Sequence, residues 1–343
     1  MAKAPSFFSA QLAAIFGAGA ASAILFSLIG KGTALAISLA YLSPLPLMIA
    51  MIGFGLAAGL GAGALACLGV GLVAVLQSGD LLNAGASALT FATALAAPSL
   101  WLAFLALQDV GPGPSTPSSP PATASAPAFE KIMSSVVVCS AAVAVGAGAF
   151  VAARHGGFEA ALARAVAILQ PTLESAVGEA QLPDGVDLGR VARAIALAAP
   201  PAIAASTLLM LLVNLWLAAR VAQKSAQTRR RWPDVPSGLR LPRICAPILA
   251  GALATAFLGG PVGVIAATIA AALVMGFALQ GLAAIHYLTR GHKHRPLALG
   301  LLYLALFALA PPWLLIPCAA LGVADSLFGL RARKKAAPAR RPG

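Results

Sequence analysis

The stretch that decides the fold is Ile195–Pro233, IALAAPPAIAASTLLMLLVNLWLAARVAQKSAQTRRRWP. It opens on Pro200 and Pro201, runs apolar with a single amide, Asn214, and then turns into Arg220, Lys224 and the triplet Arg229, Arg230 and Arg231. A helix rises about 1.5 Å per residue, so roughly twenty apolar residues span a hydrocarbon core ~30 Å thick, and a cationic cluster behind such a run marks the cytoplasmic side. One membrane-crossing helix and its orientation are therefore expected from this stretch alone.

The rest of the chain has the same character. Of 343 residues, 60% are hydrophobic and 10% are charged, against about a quarter charged in soluble domains. The net charge of +13 sits in short basic blocks between or after apolar runs. Positive-inside bias and attraction to anionic headgroups account for that pattern, so membrane lipid is the expected partner and nucleic acid is not. Cys67, Cys139, Cys245 and Cys318 are far apart, with no CxxC or Cys/His cluster. They read as packing residues, and neither a metal nor a cofactor is expected. The first thirty residues carry one lysine and an apolar run too long for a cleaved signal, which reads as a retained signal anchor.

Taken in order, the apolar runs give an all-α polytopic transmembrane bundle of about ten helices, with eight or nine as alternatives. The first is Ser9–Gly30 and the second Thr33–Phe54, kinked or broken by Ser43-Pro44-Leu45-Pro46, where backbone donors are missing. The third, Gly55–Gln77, repeats small residues at Gly55, Gly59, Gly63, Cys67 and Gly71; Ala14, Ala18 and Ser22 do so more weakly in the first. Such stripes allow close helix approach, within the bundle or to a partner. A fourth, Ala84–Gln108, completes an N-terminal part, 1–110. A Pro/Ser-rich linker follows, 111–130, then a C-terminal part, 131–330, and a basic tail, 331–343. Within the C-terminal part, 155–198 is moderately apolar, carries half of the ten acids and reads as external amphipathic helices, with Pro171 interrupting and Asp187 capping. The remaining runs are Ser134–Ala153, the opening stretch, Ile244–Leu258, one ending near Tyr287, Leu297–Ala310, and one ending at Phe328.

With both termini cytoplasmic, eighteen of the 23 cations fall inside and only Lys31, Arg154, Arg164, Arg190 and Arg193 fall outside. Multi-pass insertion in a bacterial inner membrane is the localisation expected.

Candidate chemistry is sparse. Asn214 lies on one helical face with Thr207, Val221 and Ser225, and Gln280 shares a face with Tyr287. A buried amide in lipid needs a partner, which is a neighbouring helix or a substrate. Tyr41 and Ser43 sit in the Pro-broken helix, where interrupted backbone either shapes a bundle or holds ligand. Asp325 is expected to pair with a nearby arginine. Lys31 in GKGT lacks a P-loop's flanking residues, and Ser87 in GASA and His286 fall on opposite sides of the membrane in this topology, so no enzyme is expected.

Three segments, Asn214–Ser225 with Arg229–Val235, the Ser43–Leu47 break SPLPL, and the ending PWLLIPCAALGVADSLFGLRARKK (Pro312–Lys335), resemble the membrane-protein family called domain of unknown function 2232. The resemblance spans most of the chain. It implies a bacterial inner-membrane protein, distantly similar to the substrate-binding S-components of energy-coupling-factor vitamin importers. It further implies a small-molecule ligand and a separate coupling partner met through small residues of the first helix, of which Ala14, Ala18 and Ser22 are the matching kind. The rival reading is a non-enzymatic scaffold or assembly factor of the cell envelope. An enclosed cavity reaching Tyr41, Asn214 or Gln280 would favour the binder, and a filled core the scaffold.

Overall fold

The Pro-broken second run shows how this sequence folds locally. A computed structural model describes residues 7–109, 126–177, 187–225, 234–308 and 311–336. Lys3, most of the expected linker, Glu179, Asp184, the Arg229–Arg231 triplet and the tail from 337 onward lie outside these residues. Helix α1 (Phe7–Ser27) leads into α2 (Ala34–Ala40), which Thr33 caps by accepting from Ala36 N at 3.2 Å. The chain tightens through Leu42 N to Leu39 O and Ser43 N to Ala40 O, both 3.0 Å, and restarts as α3 (Pro44–Phe54). A proline is at home there because a first-turn residue has no helical acceptor to lose. Gly55, at φ +95°, turns the chain into α4 (Leu56–Ser78). Asp80 then caps α5 (Leu81–Phe91) through Leu82 N at 2.8 Å, and a π turn at Ala92–Ala96 joins it to α6 (Ala97–Asp109).

The second part of the chain contains α7 (Ala126–Arg154), α8 (Phe158–Val177), α9 (Leu188–Lys224), α10 (Val235–Gly238), α11 (Cys245–Ala256), α12 (Gly260–Leu288), α13 (Arg295–Ala308), α14 (Pro311–Phe328) and α15 (Leu330–Ala336). Helix α7 begins at Ala126, inside the stretch expected as linker. Pro171 does not interrupt α8. The carbonyl it deprives belongs to exposed Ala167 and is therefore not sealed away without a donor, and the Thr172 hydroxyl donates to Ile168 O at 3.1 Å. The amphipathic helix expected after Asp187 and the opening stretch are one continuous α9 of 37 residues, running through Pro200 and Pro201.

No strand occurs among the described residues, and seven helical stretches there are long and apolar enough to cross a bilayer. They are Phe8–Lys31, Ala34–Phe54, Leu56–Ser78, Leu81–Gln108, Phe129–Arg154, Leu188–Lys224 and Gly260–Leu288. The expected count of about ten included three further apolar helices, Cys245–Ala256, Arg295–Leu306 and Leu315–Phe328, which are shorter. A twelve-residue helix such as α11 covers only ~18 Å of a ~30 Å core.

The chain forms two compact units that do not follow its order. Unit 1 holds residues 1–136 and 209–240; unit 2 holds 137–208 and 241–343. In unit 1 a core of Leu47, Ala50, Ala62, Ala66, Val70 and Phe91 joins α3, α4 and α5 to Ala23 of α1. Phe26 meets Phe91 edge to face, 5.0 Å between centroids. In unit 2 the tightest crossing is α12 against α14. A Cβ on Gly281 would overlap the Cys318 carbonyl, and one on Gly322 would overlap the Phe277 carbonyl, so the two backbones touch directly.

Candidate functional site

Unit 1 brings Tyr41, Ser43 and Asn214 to the break between α2 and α3. Asn214, almost fully buried on α9, donates through Nδ2 to Tyr41 O and to Met210 O, both at 2.8 Å. Ser22 of α1 donates to Ser43 O at 2.5 Å. The amide and the hydroxyl thus tie α9 and α1 to carbonyls of the interrupted helix. Two buried oxygens at this node, Asn214 Oδ1 and Ser43 Oγ, have no hydrogen-bond partner. The Tyr41 side chain itself is 41% exposed.

The small residues near this node pack inside the unit. Ser22 is buried, and Ala14 and Ala18 are half-buried. A Cβ on Gly59 would sit 2.5 Å from Met51 Cβ, and one on Gly63 2.8 Å from Leu100 Cδ1, so α4 is glycine-rich where α3 and α6 press on it.

Unit 2 holds Gln280 and Tyr287. Gln280 is fully buried on α12, and its amide is saturated. Its Oε1 accepts from Leu241 N at 2.8 Å, while Nε2 faces Gly322 O at 3.1 Å, Asp325 Oδ2 at 3.0 Å and Ser326 Oγ at 2.9 Å. Ser326 returns a bond to Leu241 O at 3.2 Å. Asp325 pairs with Arg331, as expected of an acid near a basic tail. The guanidinium reaches Oδ2 from Nε at 3.0 Å and from Nη2 at 2.7 Å, and Arg331 N donates to Oδ1 at 3.1 Å. Both side chains are buried, so each charge depends on the other. Tyr287 is half-buried beneath the Arg290 guanidinium, 5.4 Å from its ring centroid. Lys334 of α15 donates to the carbonyls of Leu288 at 2.6 Å and Arg290 at 2.8 Å, which ends α12 with a cation where its dipole is negative.

None of these five residues lines the apolar space found in unit 2. That space is a cleft of about 510 Å³ in unit 2, among α7, α8, the first half of α9 and the start of α12. Ligand pockets typically measure about 300–1,000 Å³. Its walls include Gly148, Val151, Phe158, Leu162, Ala196, Leu197, Ile203 and Ile265. Thr268 brings the one hydroxyl, already donated to Val264 O at 2.7 Å. Val151, Ile203 and Ile265 are 47%, 42% and 44% exposed, so the cleft is open to its surroundings.

Two of the lining residues have an altered backbone. Pro200 and Pro201 carry no N–H, so the carbonyls of Ala196 and Leu197, four residues earlier, have no helical donor. Both residues line the cleft. The arrangement is an apolar chamber, one wall of which includes the two residues whose carbonyls lack a helical donor. Its signal in the sequence is the Pro-Pro pair together with the small-residue run AAVAVGAGAFVAA in α7, neither of which was singled out as a candidate site.

A family model described as predicted membrane protein (DUF2232) matches residues 120–326. No curated protein and no solved structure matches the chain.

Proposed function

We propose, from the premise that the chain belongs to the family of predicted membrane proteins DUF2232, that it is a multi-pass inner-membrane protein holding a small apolar molecule in the cleft of unit 2. The observation that carries this reading is the chamber itself: carbon walls, and the Ala196 and Leu197 carbonyls left without helical donors. Such a site fits a hydrophobic molecule bearing a hydroxyl or amide N–H. The protein performs no chemistry of its own in this reading, and any uptake depends on separate coupling partners, in the manner of an S-component.

The arrangement in the membrane follows from charge. Ten crossings, counting α11, α13 and α14, keep both termini and the basic blocks on the cytoplasmic side. With α11 left out, α12 would carry Arg290, Lys293 and Arg295 to the outside, against the positive-inside bias. Length argues the other way for α11, but hydrophobic flanks extend it, since Phe257 and Leu258 after it are 91% and 75% exposed.

The scaffold reading draws support from a different observation. Gln280 has every polar atom engaged, and the α12–α14 crossing leaves no room for a side chain. The two readings part at Gly148, where an added Cβ meets nothing within 4 Å. Gly148→Phe projects a ring into the cleft and removes a helical glycine, worth about 1 kcal/mol of helix stability. A binder loses the small molecule that co-purifies with it, read by mass spectrometry of an organic extract, while its melting temperature holds or rises. An unchanged extract defeats the proposal.

A further inference from the structure

We infer that the occupant of the cleft in unit 2 is a bilayer amphiphile with a long apolar tail and a neutral, hydroxyl-bearing head, taken up sideways from the leaflet at the Gly156 end. This rests on the reading of the cleft as a binding site, and adds where the molecule comes from and how it lies. Helix α7 lines the cleft from Ala144 to Ala152, just short of Arg154, and α12 lines it from Pro261 to Thr268. At about 1.5 Å per residue these walls run ~12 Å and ~10 Å inward, most of one leaflet of a ~30 Å core. Helix α9 sets the same boundary: about twenty residues counted back from Arg220 reach Pro200. Ile203 then lies inside the hydrocarbon, while Ala196, Leu197 and the exposed Arg190 and Arg193 lie at or beyond its edge.

The end of the cleft is covered and its side is open. Gly156 and Gly157, at φ +82° and +119°, turn the chain from α7 into α8. Phe158, Ala161, Leu162 and Ala165 share one face of α8 and line the cleft, while Glu159, Arg164 and Glu174 are exposed, the pattern of a helix lying in a membrane interface. Glu159 reaches Arg193 of α9 at 3.7 Å across that end. The open side is rimmed by Val151, Ile203 and Ile265, exposed apolar residues on three candidate spans. A rim of that kind belongs in hydrocarbon, so the way in is from the bilayer. The lining also selects the head. Among the described residues no charged side chain lines the cleft, so a charged head would be desolvated there without a partner. A hydroxyl has acceptors at the interfacial end, where the Ala196 and Leu197 carbonyls lack helical donors. The tail then runs past Phe158 and Val151 toward Ala144 and Thr268, whose hydroxyl is already donated to Val264 O.

Photolabelling of the full chain in phosphatidylcholine liposomes tests this, with hexadecanol carrying a diazirine either beside the hydroxyl or at the tail end, and adducts mapped by peptide mass spectrometry. The head-proximal probe is expected on the α8 and α9 walls, at Phe158 and Leu197, and the tail-end probe on the deep walls, at Ala144 and Thr268. Both are expected to exceed, by about fivefold or more, the labelling of Leu68 and Leu72, which are exposed on α4 and report ordinary lipid contact. The alkyl sulfonate with the same tail and diazirine is expected to label the cleft about fivefold less than the alcohol. Gly148→Phe is expected to lower cleft labelling and leave Leu68 and Leu72 unchanged. In the unaltered protein, cleft labelling no higher than at Leu68 and Leu72 overturns the inference, as does equal labelling by the sulfonate, or head and tail probes marking the same residues. If Gly148→Phe still strips the co-purified molecule in any of those cases, the cleft remains a binding site for something that is not a neutral bilayer amphiphile. An unchanged extract from Gly148→Phe removes the site and this inference together.

Discussion

Asn214 and Gln280 are both buried amides on apolar helices, yet they differ in what their removal leaves behind. Asn214→Leu strips a donor from Tyr41 O and Met210 O, the latter of which keeps its place in the helix, and also deletes an acceptor that had no partner. Gln280→Leu abandons the buried N–H of Leu241 and takes one donor from Asp325. Each buried group left unpaired costs about 1–3 kcal/mol. Gln280→Leu is therefore expected to lower the melting temperature in detergent several degrees more than Asn214→Leu, and the reverse order in a thermal-unfolding assay would show that the saturated network is not what holds α12 to α14. The need for partners was legible in the sequence, because an amide in a lipid-facing run has few alternatives. Their identity was not. Asn214 meets a carbonyl 173 positions away, and no periodicity in either segment encodes that meeting.

At the level of the helix, proline was the misleading letter. Pro171 looked like a stop, since proline removes a helical bond and crowds the preceding turn, and the Pro200–Pro201 pair fell at the opening of a separate apolar run. Both helices continue, because a bond lost at one position leaves the turns on either side free to pack, and packing supplies most of a helix's stability inside a protein. Where proline did end a helix, at Ser43–Pro44, it fell at the first position of the next one, and the sequence was read correctly. Replacing Pro200 and Pro201 together by alanine returns donors to Ala196 O and Leu197 O. The expected outcome is a higher melting temperature with less molecule retained in the cleft, read on the same sample by calorimetry and extraction. Retention unchanged in the double variant would mean that those carbonyls do not face the ligand.

For the molecule as a whole, composition was enough to announce a membrane protein, while the basic blocks propose an orientation and the number of crossings depends on helices at the edge of sufficient length. Parity decides the matter experimentally. Seven crossings place the termini on opposite sides of the bilayer, and ten place them together. Reporter fusions at the two ends and after Thr228 are expected to give cytoplasmic signals, and a fusion at Gly156 an external one. An external signal after Thr228 would invert the map. The interleaving of the two units could not be foreseen from chain order: α7 and α9 each supply residues to both, whereas the Pro/Ser-rich stretch had marked a division into consecutive halves.

The short helix α15 has a consequence out of proportion to its seven residues. It looks like dispensable decoration, a cationic ending of the sort proteases trim and engineers delete. Cutting the chain after Gly329 would take away, in one stroke, the counterion of a carboxylate sealed from water and the plug on the last turn of α12. A peptide tag belongs behind Gly343, then, and a clipped sample showing the right mass for a trimmed terminus should be treated as a different protein, damaged at its centre rather than shortened at its margin.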